Sequence, residues 1–123
     1  AGKRDNYHEL VSRFVRVHSL YDEIEFVVSQ SNHFQLKGNF GCSTKKNTIT
    51  KAYELIKEEF PEVQEYFQHH AVVVKKNIPE FAGLGGGSSN AATFMLMVNE
   101  ACNLCLTKQE FLQLLYRLQL QLL

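Results

Sequence analysis

The residues of this chain best able to do chemistry stand in one stretch, Pro79-Glu80-Phe81-Ala82-Gly83-Leu84-Gly85-Gly86-Gly87-Ser88-Ser89-Asn90-Ala91-Ala92. Four glycines fall within five positions, and an alanine-led apolar run follows at once. Glycine lets the backbone take positive φ and approach a ligand closely, and the first turn of a helix leaves N–H groups without intrahelical acceptors. The junction therefore predicts an anion site, where phosphate oxygens meet backbone donors and the positive end of a helix dipole. Ser88 and Ser89 add hydroxyls at the same place. A glycine-rich turn with no ligand is the plainer alternative. Each glycine in ordered backbone is less favourable than alanine by about 1 kcal/mol, so four in one short loop call for a reason.

Two other phosphate loops are excluded by spacing. G-x-x-x-x-G-K-[ST] requires a lysine after its last glycine, and none follows here. G-x-G-x-x-G, counted from Gly83 and Gly85, requires glycine where Ser88 stands.

Composition narrows the partners. Of 123 residues, 45% are hydrophobic, and thirteen basic side chains balance thirteen acidic ones. That is ample for one domain with a core, and it provides no polybasic face. Neither nucleic acid nor an anionic membrane is an expected partner, and phosphate must be held by local geometry. No apolar run reaches membrane-spanning length and no charged-then-apolar leader opens the chain, so the expected location is cytoplasmic. Three cysteines do not make a disulfide scaffold. Cys102 and Cys105 form a C-x-x-C at the end of an apolar segment, where core packing is the expected role. Cys42 and the surface-like His69-His70 would complete only an untidy zinc set.

The elements that must position the glycine stretch follow from periodicity. Val11 to Val28 reads as an antiparallel strand pair with a turn near Tyr21-Asp22, and Arg13, Arg16 and His18 read as solvated strand-face residues. A short strand is expected at Phe34-Gln35-Leu36-Lys37, then a loop from Gly38 to Lys46. Asn47 is a good N-cap for a helix whose Ile49, Ala52, Tyr53, Ile56 and Phe60 recur at helical spacing until Pro61, with one or two further turns over Glu62 to Gln68. His70 to Ile78 is the strongest strand and delivers the chain to Pro79. From Ser89 to about Asn103 the chain is apolar nearly all round, a buried central helix. Thr107-Lys108-Gln109-Glu110 is a capping box, opening a last helix with Phe111, Leu112, Leu114, Leu115 and Leu118 on its apolar side.

The glycine stretch resembles the second motif of the GHMP kinases, P-x-x-x-G-L-G-S-S-x-A-A. Its G-L-G-G-G-S-S-N-A-A form is similar to the branch that acts on 4-diphosphocytidyl-2-C-methyl-D-erythritol. The resemblance runs from Gly2 to Leu118. It implies an α+β fold, the GHMP-kinase N-terminal domain over residues 1–123, similar to ribosomal protein S5 domain 2 and incomplete at both ends. It also implies ATP and Mg²⁺ as cofactors, and phosphorylation of the 2-hydroxyl of a cytidine-diphosphate substrate on the way to isoprenoid precursors. Pro79, Glu80, Phe81, Ala82, Gly83, Leu84, Gly85, Gly86, Gly87, Ser88 and Ser89 would then line the triphosphate, with Ser88 near the metal. Asn47 and Lys76 match an asparagine and a lysine close to the nucleotide, although locally they read as a cap and a solvated strand end. Tyr7 and His8, in G-x-R-x-x-x-Y-H-x-L, match the segment that stacks on and hydrogen-bonds the cytosine.

Departures from the pattern qualify this. Phe81 stands where the branch usually has glycine. The family's catalytic lysine precedes the Gly2 region. Its catalytic aspartate follows the final helix, and aligning Leu118 places Gln121 at that position. No catalytic residue is therefore expected in this chain, and turnover by it is expected to be near background. The alternatives are a non-catalytic nucleotide-binding module, a GHMP kinase for a different small alcohol, and, more remotely, a dinucleotide-binding oxidoreductase.

Overall fold

A computed structural model describes residues 12–17, 20–38, 47–76 and 86–121. The expectations for Tyr7, His8, His18, Cys42, the loop residues 39–46 and the stretch from Pro79 to Gly85 lie outside the described residues.

Strands β1 (Ser12–Val17) and β2 (Leu20–Val28) pair antiparallel, with Val17 opposite Leu20 and Ser12 opposite Glu25. Tyr21 and Asp22 are not a turn. They lie inside β2, opposite Arg16 and Val15. Strand β3 is only Leu36–Gly38, beginning two residues later than its apolar pattern suggests. Strand β4 (His70–Lys75) pairs antiparallel with β2 and parallel with β3, giving a sheet of order β1-β2-β4-β3. Adjacent parallel strands cannot be joined by a tight turn. The crossover from β3 to β4 carries α1 (Thr48–Glu59) and α2 (Pro61–Tyr66).

Asn47 caps α1 as expected: its side-chain oxygen accepts the Ile49 N–H at 2.8 Å. Pro61 stops α1 and starts α2, where its fixed φ and missing N–H suit the first helical position. Helix α3 (Gly86–Ala101) begins three residues before the expected Ser89, inside the glycine run. Helix α4 (Lys108–Gln121) opens on the capping box: Thr107 N–H donates to Glu110 at 2.9 Å, and Glu110 N–H donates to the Thr107 hydroxyl at 3.1 Å.

The core lies between one face of the sheet and helices α1 and α3. Successive strand residues point to opposite faces, so Asp22, Ile24 and Phe26 of β2 share the buried side with Val72 and Val74 of β4. Phe26, Phe67 and Phe94 meet edge-to-face or tilted, with centroids 5.1 to 5.8 Å apart, and fasten α3 to the sheet. Ile49, Ala52, Tyr53, Leu55 and Ile56 are the buried side of α1. Helix α3 is not buried all round, because Leu96 is 51% exposed. On α4, Leu114 and Leu118 are buried, whereas Leu112 is 53% exposed and forms an outer stripe with Tyr116 and Leu120.

Candidate functional site

The described part of the site is built where the end of β4 meets the head of α3. The antiparallel register pairs Glu23 with Lys75 and Ile24 with Val74, and one further step sets Lys76 opposite Asp22. Alternation then places two acid–lysine pairs on opposite faces. On the open face, Lys75 and Glu23 approach to 3.9 Å, with the lysine side chain 72% exposed. Facing the core, Lys76 Nζ lies 3.0 Å from Asp22 Oδ2, with the side chains 9% and 0% exposed. An exposed pair contributes little in water, whereas a buried one is strongly coupled to its surroundings. Lys76 is therefore not a solvated strand end.

Asn90, in the second turn of α3, joins this pair. Its Nδ2 donates to the same Asp22 Oδ2 at 2.8 Å. A carboxylate only accepts, so the amide must present its NH₂ group to Asp22. Asn90 Oδ1 is thereby turned away, buried and without a hydrogen-bond partner among the described residues. A buried acceptor left unpaired costs free energy that an incoming donor would recover.

Residues 77–89 connect these anchors. The backbone of Gly86, Gly87, Ser88 and Ser89 is the first turn of α3, in which the Gly86, Gly87 and Ser88 amides have no acceptors within the helix. Asn47 heads α1, is buried and is engaged as a cap, so its own amide oxygen already has a donor. Gln121, aligned with an aspartate position beyond the last helix, lies instead within α4 and is exposed. Asp22 and Asn90 were not singled out by sequence reading as site residues. The available signal was Asp22's place two and four residues before Ile24 and Phe26, which puts a carboxylate on the core side of the strand.

The other chemistry-bearing groups lie elsewhere. Cys102 and Cys105 are free thiols in the connection between α3 and α4, past the end of a helix rather than at the start of one. Cys102 packs against the core, and burial, aided by the negative charge of Glu62, pushes its thiol up to about 12. That is the reverse of a redox-active cysteine. His70 is half-buried rather than surface-like. Its ring stacks on Tyr66 at 3.9 Å, and Nδ1 donates to the Tyr66 carbonyl at 2.9 Å. Among the described residues no three His, Cys, Asp or Glu side chains gather as a metal site, and no helix is long and apolar enough to cross a membrane.

Comparison with known proteins identifies the family of the chain. Residues 47–122 match the family described as GHMP kinases N terminal domain. A 4-diphosphocytidyl-2-C-methyl-D-erythritol kinase of Sulfurimonas denitrificans is 53% identical over 115 residues, which are 89% of this chain and 43% of that protein. The protein of the same name from Campylobacter jejuni serotype O:6 is 43% identical over 88% of this chain and 43% of its own length. The chain thus spans less than half the length of these relatives. A crystal structure of 4-(cytidine 5'-diphospho)-2C-methyl-D-erythritol kinase superposes with a TM-score of 0.56 at 26% identity, over 89% of this chain and 35% of that one. Homoserine kinase from Cytophaga hutchinsonii shares the fold alone, with a TM-score of 0.65 at 11% identity over 97% of this chain and 44% of that one.

Proposed function

Because the chain belongs to the GHMP kinase family through its N-terminal domain, we propose that it is the nucleotide-binding part of an ATP-dependent small-molecule kinase. The observation that carries this reading is the start of α3 inside the glycine run: the first-turn amides without helical acceptors are those of Gly86, Gly87 and Ser88. Amides of glycine and serine at a helix head can be approached closely by phosphate oxygens, and the helix dipole favours the negative charge. Pro79 to Ser89 would hold the triphosphate, with Lys76 and Asn47 beside the nucleotide. Ser88 offers a hydroxyl to Mg²⁺, an ion usually carried by substrate phosphates and one or two protein oxygens, and the ion would offset phosphate charge.

The substrate follows from the relatives. Two proteins named 4-diphosphocytidyl-2-C-methyl-D-erythritol kinase match 89% and 80% of this chain, at 53% and 49% identity. Tyr7 and His8 are the residues to recognise its cytosine, by stacking and by edge hydrogen bonds. The acceptor would be the 2-hydroxyl, in the synthesis of isoprenoid precursors.

The test is calorimetric titration of ATP with Mg²⁺ into the wild type and Gly85→Val. A β-branched side chain in the loop should block the close approach of phosphate and abolish binding. Unchanged affinity in a folded Gly85→Val protein would overturn the reading.

A further inference from the structure

The buried face of β2 carries a carboxylate where its pattern asks for an apolar side chain. Asp22 is fully buried and continues the row of Ile24 and Phe26, yet a buried ion pair is often no more stable than apolar residues of the same volume. Stability alone does not explain it. What Asp22 does is geometric: one oxygen, Oδ2, accepts Lys76 Nζ at 3.0 Å and Asn90 Nδ2 at 2.8 Å. Lys76 is the last described residue before the glycine-rich stretch, and Asn90 is the first residue after its serines. Both flanks are thus tied to one atom of a central strand.

We propose that Asp22 is a positioning residue for the nucleotide site, setting the Lys76 ammonium and the Asn90 amide on either side of the glycine-rich stretch. The proposal rests on the nucleotide reading above. Asp22 need not touch the ligand. Its carboxylate supplies the counter-charge that keeps a nine-tenths-buried ammonium in one place, and it dictates which way the Asn90 amide faces. The other atom of that amide, Oδ1, is a buried acceptor without a partner among the described residues, so Asp22 also determines where that acceptor stands. Charged groups held by a buried neighbour are preorganised and need little rearrangement when phosphate arrives.

The test uses the 123-residue protein as wild type, Asp22→Asn and Asn90→Ala. Asp22→Asn keeps the shape and an oxygen but removes the charge; Asn90→Ala is the complement, keeping the Lys76–Asp22 ion pair and removing the Asn90–Asp22 hydrogen bond. Each protein is titrated with ATP and with adenosine, and amide hydrogen exchange is measured without ligand. The expected result in each folded variant is a loss of ATP affinity of about tenfold or more, with adenosine affinity within about twofold of wild type, because phosphate and not the base meets the head of α3. The amides of Ala91, Ala92 and Thr93, which donate within α3, should also exchange about tenfold faster, with the rest of the sheet unchanged. ATP affinity within about twofold of wild type, or equal losses for both ligands, overturns the proposal. If Asp22→Asn does not fold, Asn90→Ala decides by the same criteria. If the wild type binds neither ligand, the nucleotide reading falls. The exchange data then decide the positioning alone, and unchanged exchange at Ala91, Ala92 and Thr93 overturns it.

Discussion

The ring of Phe34 lies flat on the ring of Tyr53, with centroids 4.1 Å apart and planes 11° from parallel. Phe34 comes just before β3, and Tyr53 is on the buried side of α1, so the stack fixes the crossover helix against the strand it leaves. Phe34 also meets Phe67 and Phe94 edge-on, at 5.4 and 6.1 Å. It therefore closes one end of the aromatic cluster that seats α3. Phe34→Ala removes these contacts and leaves a cavity that α1 cannot fill by itself. Because Phe34 is only half-buried, the expected cost is about 3 kcal/mol, the lower end for such truncations. Urea unfolding should show a lower midpoint with an unchanged slope, and an unshifted midpoint would count against the stack as a structural tie.

Asn47 has two assignable roles that substitutions can separate. As a cap it satisfies one orphan donor of α1, and Asn47→Ala should lower stability by about 1 kcal/mol, whereas Asn47→Ser, which also caps, should cost much less. Its expected nucleotide contact needs the amide as well as the cap. Asn47→Ser should therefore melt close to wild type yet bind ATP more weakly. If Asn47→Ser binds ATP as the wild type does, Asn47 is a cap and nothing more.

How far the fold can be read from the sequence depends on whether the deciding interaction is local. Helix α1 is readable because Asn47, the apolar period and Pro61 all act within one or two turns. The start of α4 is readable for the same reason, since Thr107 and Glu110 satisfy one another's backbone across three residues. Asp22 is not readable in this way. Beside Tyr21 it looks like a turn, and only the pairing of β2 with β4, 54 residues away in sequence, gives it Lys76 as a partner. Gly86 and Gly87 are poor helix formers, so propensity starts α3 too late, although the helix they enter is held by Phe94 and its neighbours. Helix α4 carries two apolar stripes, one through Leu114 and Leu118 and one through Leu112 and Tyr116. Periodicity alone does not say which stripe meets the core.

Cys102 makes stability fall in alkali, and the sign follows from where its proton is held. An ordinary cysteine loses its proton near pH 9, but burial first, and Glu62 second, push this thiol up to about 12. Below pH 9 the folded and unfolded chains both keep the proton, so the group contributes no pH dependence. Between pH 9 and pH 12 the unfolded chain has released it and the folded chain has not. The unfolded state then binds fewer protons, and stability declines as pH rises through that window. Tyr53 acts in the same direction at higher pH. Its phenol is raised by burial, with Glu54 adding to the shift and Lys57 opposing it. The urea midpoint should therefore drop as pH rises above 9, and Cys102→Ala should flatten that drop while leaving the midpoint nearly constant up to the tyrosine range. Exposed Cys105 provides the internal comparison. It should react with an aromatic disulfide reagent in the native protein at pH 8, whereas Cys102 should react only after unfolding. An equally steep midpoint decline in Cys102→Ala, or equal native reactivity of the two thiols, would show that Cys102 is not held protonated by the core.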